Sequence, residues 1–390
     1  MDLLDSFVRG SSVAAGATSP APFRSLFPMF RRLTSIIDWI FGFAAVLVLV
    51  AVCSVVPVLN FLSLGYLLHV SGQVARTGRL RDGFIGVRKA AVLGRVMAGA
   101  WLVLWPARLA AGFWQDAEIV AAGSGIARAW NAGYLVLLAL TMLHIAWACL
   151  RGARWRHFIW PAPIKLLRWL RAADSLAQVQ DAARVYVTGL RLPFYFWLGL
   201  RGFVGAVLWL ALPVGMLFVA TRLPQGAAVL VSLIGGFLLL LVVLQLPFLQ
   251  ARLAESDRWQ AVLEWREARR LFRHAPLAYG IALTATLLFA IPLYLLKVEL
   301  TPDELAWLPA LVFVIFIFPA RVLTGWALGR ALRRETPAHG FWRWLVRLGI
   351  VPVALAYVLM VYVAPYVSWN GAWSLLEQHA FLVPAPLMAL

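Results

Sequence analysis

Residues 227–249 read AAVLVSLIGGFLLLLVVLQLPFL and contain no charged side chain. As one α-helix this stretch would be about 34 Å long, enough to cross a hydrocarbon core of about 30 Å. Similar apolar stretches lie at 36–56, 92–113, 132–150, 198–221, 277–297, 308–328 and 347–366, and the one at 308–328 carries Arg321. A backbone in lipid must satisfy its own polar groups, which leaves helices and closed barrels as spanning structures, and stretches of this length select the helix. The pattern predicts an all-α polytopic transmembrane bundle of about eight spans. One membrane domain occupies 36–366, between an N-terminal tail over 1–35 and a short outer C-terminal segment over 367–390.

The rest of the composition agrees. Hydrophobic residues make up 63% of the chain and charged ones 13%, against about half and a quarter in soluble globular proteins. The net charge of +18 would suggest nucleic acid in a soluble protein, but its distribution argues otherwise. Arg76, Arg79, Arg81, Arg88, Lys89 and Arg95 form one cluster, and Arg330, Arg333, Arg334, Arg343 and Arg347 another. Between them lie Arg151, Arg154, Arg156, Lys165, Arg168 and Arg171. Each cluster sits between apolar stretches, as expected when Lys and Arg are retained on the cytoplasmic side of a cytoplasmic (inner) membrane. A phosphate-tracking surface would have to be contiguous, so no nucleic-acid partner is expected. Acidic residues fall in the alternate connections, Asp116 and Glu118 in one and Glu299, Asp303 and Glu304 in another. Cys53 and Cys149 lie within apolar stretches without metal-ligand spacing and read as buried small hydrophobes. No metal or cofactor is expected.

The first span is ambiguous. Arg24, Arg31 and Arg32 precede it and the Arg76 cluster follows, so both flanks favour the same side. The apolar run extends to Val70, too long for one crossing, and Pro57 and Asn60 interrupt it. Either 36–70 forms a hairpin, which the charges favour, or the segment near 57–75 is re-entrant or interfacial. Proline placement points the other way. Pro57, Pro163, Pro247 and Pro319 precede basic segments, and Pro106, Pro213, Pro292 and Pro365 follow 45–50 residues later. Such spacing suggests a repeated unit in which an inward span breaks at proline. Two connections, near 164–191 and 252–273, carry helical apolar periodicity and read as cytoplasmic interfacial helices.

The run Leu64-Gly65-Tyr66-Leu67-Leu68, followed by Val74-Ala75-Arg76-Thr77-Gly78-Arg79-Leu80-Arg81-Asp82-Gly83-Phe84, resembles a segment of a bacterial and archaeal multi-pass membrane protein family of unknown function. In that family a Gly-Tyr pair closes an inward span and a short basic turn leads to an interfacial helix. The resemblance covers roughly 57–106 and implies an inward direction just before Arg76. It implies no activity.

Polar residues inside spans are functional candidates, because hydrocarbon disfavours them. Asn60, Arg108, His144, Arg201 and Arg321 are the candidate binding residues, with Gln245 also inside a span. The segment holding Arg151, Arg154, Arg156, Lys165 and Arg168 is the candidate contact for anionic lipid headgroups. No mid-span carboxylate suggests proton coupling, and no phosphate-binding loop, HExxH or Gly-x-Ser-x-Gly occurs. The expected role is binding or passage of lipid or a small anionic solute. The alternatives are a scaffold that docks a protein partner on the cytoplasmic helices, and an interfacial enzyme using His157, His274 and His339.

Overall fold

The computed structural model describes residues 26–171, 175–296, 307–368, 371–377 and 379. The remainder of the expected tail, the acidic residues Glu299, Asp303 and Glu304, and the last eleven residues lie outside the described residues. The described chain is helical: α1 Leu26–Val55, α2 Asn60–Thr77, α3 Val87–Val103, α4 Trp105–Val120, α5 Gly125–Leu150, α6 Trp155–Ile159, α7 Pro163–Arg171 and α8 Ser175–Gly189, then α9 Leu192–Ala220, α10 Gln225–Ser256, α11 Trp265–His274, α12 Pro276–Leu296, α13 Trp307–Leu332, α14 Gly340–Val367 and α15 Ser374–Glu377. Among the described residues, seven helical segments are long and apolar enough to cross a membrane, two of them running through α3 and α4 and through α8 and α9, and the eighth expected span falls on α12. Their lipid-facing character shows in the many large apolar side chains left exposed, among them Leu208, Leu212, Leu233 and Leu359.

The segment that the sequence left open, 57–75, is the centre of the bundle. Helix α2 folds back on α1, with Ser63 Oγ donating to Val50 O at 2.7 Å across the turn at Pro57. This is the hairpin form, and it places Arg76 at the same end as the start of α1. Most of α2 is buried, including Asn60, Ser63, His69 and Ser71. It can carry polar residues because protein, not lipid, surrounds it.

Glycine permits that burial. A methyl group on Gly65 would overlap the carbonyl oxygen of Tyr195 on α9, and one on Gly199 of α9 would overlap that of Phe61 on α2. Gly72 approaches Ala254 of α10, where an added Cβ would lie 2.5 Å from its carbonyl oxygen. Gly325 and Gly329, one turn apart on α13, pack against the backbone at Ser71 and Ala75. These are small-xxx-small contacts, in which van der Waals packing between close backbones holds membrane helices together. Helices α9, α10 and α13 thus grip α2 from three sides, while α3 to α6 form a peripheral arm joined through α1. There Trp114 stacks on Tyr134 at 5.9 Å, tying α4 to α5.

A repeat is present, but not in the proline register. Pro213, Pro247, Pro319, Pro352 and Pro365 all lie inside continuous helices, and Pro163 begins the short α7. Pro57 in the turn before α2 and Pro106 at the start of α4 do mark breaks, whereas inside α9, α10, α13 and α14 neighbouring helices and local adjustment satisfy the carbonyls that proline frees. What repeats is the end of α2 and the end of α10. Each helix is followed by one left-handed residue, Gly78 (φ 74°) or Asp257 (φ 55°), then extended Arg79 or Arg258, then a single 3-10 turn, Leu80–Gly83 or Trp259–Val262. Thr77 Oγ1 and Ser256 Oγ each donate back one turn, to Gln73 O at 3.1 Å and Arg252 O at 2.8 Å. They accept from the amides of Arg79 and Arg258 at 3.3 and 3.4 Å. Gly and Asp are among the few residues that tolerate the left-handed position, which is why the two sequences look unrelated yet build one turn.

The two ends are also capped alike. Arg333 Nη2 donates to Ala75 O and Arg76 O at 2.9 and 3.0 Å, and Arg76 Nη1 donates to Ala254 O and Glu255 O at 3.0 and 2.9 Å. A guanidinium at a helix C-terminus meets both the free carbonyls and the negative end of the macrodipole. Because these ends are solvent-accessible, removing either cap should cost about 1 kcal/mol. Arg76→Ala and Arg333→Ala should each lower the thermal unfolding midpoint in detergent, and an unchanged midpoint for both would show that water replaces these bonds without loss.

Candidate functional site

The candidate residues from the sequence are scattered, and most have structural duties. His144 Nε2 lies 2.7 Å from Phe158 O, fixing α6 against α5. Arg151 Nη2 bonds to His157 O and Trp160 O at 2.6 and 2.7 Å, so its cation is committed to the loop that follows α5. Arg154, Arg156, Lys165 and Arg168 are exposed on α6, α7 and the loop before them and enclose no cavity. In the same segment His157 is held below the usual imidazole pKa by burial, with further depression from Arg151, Arg156, Arg154 and Lys165. Arg108 is exposed on α4 and Asn60 is buried at the first residue of α2.

Arg201 and Arg321 belong to one polar seam between α9, α10 and α13. Arg321 is 3% exposed, and its Nη1 donates to Gln250 Oε1 at 2.8 Å. Gln250, fully buried, donates through Nε2 to Gly202 O at 3.3 Å. The next residue on α9, Arg201, reaches Asp257 with Nη2–Oδ1 at 2.5 Å. The seam joins three helices by their side chains.

A half-open space lies elsewhere, between α10, α11, α12 and α14. It is a cavity of about 740 Å³, within the size range of ligand pockets. Leu241, Leu244, Gln245 and Phe248 of α10 form one wall, Tyr279 and Leu283 of α12 another, and Leu348, Ile350 and Val351 of α14 a third. Its arginine-rich end is closed by α11 and the first turns of α14, which bring in Arg269, Arg273 and Arg347. Arg269 lies over Trp265 at 5.8 Å, and Arg347 lies over Phe272 and Trp344 at 5.7 and 5.8 Å. Aromatic faces hold these guanidiniums without consuming their hydrogen-bond donors. None of the three forms a salt bridge among the described residues. Glu267 on the same short helix is instead paired with Arg270 at 3.6 Å.

Deeper in the cavity, Tyr279 stacks on Phe248 with centroids 3.9 Å apart. The tyrosine is 2% exposed, and its hydroxyl has no hydrogen-bond partner. A buried hydroxyl without a partner is costly. The cavity therefore combines largely apolar walls with three arginines, none in a salt bridge among the described residues, at one end.

Sequence reading missed this site. Arg269 and Arg273 are four residues apart on one helix, so they share a face, but only folding brings Arg347 to them across seventy-four positions. The second basic hollow, about 550 Å³ beside Trp326, is less available, because Arg333 and Arg334 in its wall are bonded to helix-end carbonyls. The enzyme alternative gains no constellation. His274 Nδ1 bonds within α11 to Arg270 O, and His339 caps α14 by accepting from Phe341 N. No group of three metal-ligating side chains occurs among the described residues. Of the two segments expected to dock a partner, the one near 164–191 holds α8, which contacts its own chain through Tyr186 Oη donating to Lys89 O at 3.0 Å and Lys89 Nζ to Gly189 O at 2.5 Å, and the one near 252–273 holds α11.

No protein-family model, curated protein or solved structure matches this chain.

Proposed function

We propose that this multi-pass membrane protein binds an anionic lipid in the cavity between α10, α11, α12 and α14, with the arginine-rich end of the bundle on the cytoplasmic side. The observation that carries the reading is the cluster of Arg269, Arg273 and Arg347 at one end of a largely apolar cavity. Cations at headgroup level against apolar walls are the arrangement that anionic lipid recognition uses between membrane helices. A fully water-soluble anion would leave the apolar walls unfilled, and a neutral lipid would leave three cations without a counter-charge. The positive-inside rule supports the orientation.

Each arginine close to an anionic headgroup contributes about 1 kcal/mol. Replacing Arg269, Arg273 and Arg347 together by alanine should therefore weaken phosphatidylglycerol binding about 100-fold, measured in nanodiscs with a phosphatidylcholine background. Phosphatidylcholine should show no such dependence. Equal binding by the variant and the original chain would remove this reading.

A further inference from the structure

A second hollow lies along the same pair of helices, α10 and α14. Val229, Ser232, Leu233, Gly236, Phe237 and Leu240 of α10 face Leu355, Val358, Leu359 and Tyr362 of α14 across a hollow of about 560 Å³. On α10 these positions run directly into Leu241, Leu244, Gln245 and Phe248 of the first cavity, all at spacings of three and four. On α14 the stripe likewise passes from Trp344, Arg347, Leu348 and Val351 to Leu355, Val358, Leu359 and Tyr362. One face of each helix thus lines one groove, from the arginine end to the opposite end of the bundle. From Val229 to Phe248 it is about 28 Å long at 1.5 Å per residue, close to a full hydrocarbon thickness.

That length decides between lipid classes. A phospholipid whose head lies at the arginine end has acyl chains that serve one leaflet, about 15 Å of hydrocarbon. It would fill the inner half of the groove and leave the outer half to another molecule. The charges lie at one end alone: the outer half is lined by apolar side chains with only Ser232 and Tyr362 as polar groups. Resting on the headgroup reading above, we infer that the groove seats a phosphorylated lipid with a tail longer than one leaflet, of the polyprenyl phosphate class. Arg269, Arg273 and Arg347 meet the phosphate, and the α10–α14 seam holds the tail past the bilayer midplane.

The test compares two lipids with the same phosphate monoester head, a C55 polyprenyl monophosphate and dioleoyl phosphatidic acid, binding to the full chain in phosphatidylcholine nanodiscs. The C55 lipid should bind about tenfold tighter. Gly236→Phe and Leu355→Trp, which fill the outer half, should reduce the C55 lipid to the affinity of phosphatidic acid and leave phosphatidic acid unchanged. Leu355 is 55% exposed, so Leu355→Trp tests the groove even where Gly236→Phe fails to fold. Equal affinities, with no effect of the outer substitutions, would overturn the long-tail inference while leaving the headgroup reading intact. Loss of arginine dependence for both lipids would overturn the headgroup reading and the inference with it. A dimer in the nanodisc that Leu355→Trp dissociates would assign the groove to a second copy of this chain, and would also overturn the inference.

Discussion

Replacing Gly65 or Gly199 by alanine is expected to destabilise the bundle by about 3 kcal/mol each, the upper end of what overpacking costs. The obstacle in both cases is main chain, the carbonyls of Tyr195 and Phe61, and a carbonyl cannot rotate away as a side chain can. Relief would require α2 and α9 to separate, opening the contacts that bury α2. Gly112 is a suitable control because no atom lies within 4 Å of a Cβ built there. Gly112→Ala should be neutral or slightly stabilising, since alanine is the better helix former. Thermal unfolding in detergent reads both, and equal midpoints for Gly65→Ala and Gly112→Ala would show that α2 is not gripped as described.

The second large effect is expected at the polar seam. Removing the neutral acceptor of a buried cation leaves one of its donors unsatisfied, at a cost of about 2–4 kcal/mol. Gln250→Leu deprives Arg321 of the Oε1 acceptor and should fall at the lower end of that range, since Arg321 retains other contacts. A double-mutant cycle with Arg321→Met should return a coupling of about 2 kcal/mol, the contribution of a hydrogen bond to a charged group. A coupling near zero would mean that the two side chains share a location without supporting each other.

The helical bundle was legible because hydrocarbon leaves so few options. Stretches such as 227–249 fall on α10 with little room for another reading, whereas Cys53 and Cys149, expected to be buried, are free thiols of intermediate exposure. Helix α2 was harder to read for a physical reason. Its lipid is protein: Asn60, Ser63, His69 and Ser71 are buried by α9, α10 and α13, so it lacks the apolarity by which a lipid-facing span is recognised. Gly199, Gly202, Gly325 and Gly329 did carry the signal of close packing, and each meets a neighbouring helix. Proline guided the reading unevenly, since it breaks the chain at Pro57 and Pro106 but lies inside α10, α13 and α14.

The candidate site was less legible. Intramembrane position singled out Arg201 and Arg321, but their partners Asp257 and Gln250 occupy them in helix-to-helix contacts. The cations that face an unfilled cavity come from α11 and α14, in connections dense with arginine, where nothing local distinguishes Arg269 from Arg270. The difference is a partner: Arg270 has Glu267, while Arg269 lies over Trp265.

The most direct measurement is a cryo-EM map of the protein in nanodiscs containing phosphatidylglycerol and the C55 polyprenyl phosphate. Headgroup density within hydrogen-bonding reach of Arg269, Arg273 and Arg347, continuing as a tail between α10 and α14, is the predicted result. A cavity closed by these side chains packing against one another, with lipid density confined to the outer faces of the bundle, would contradict the account.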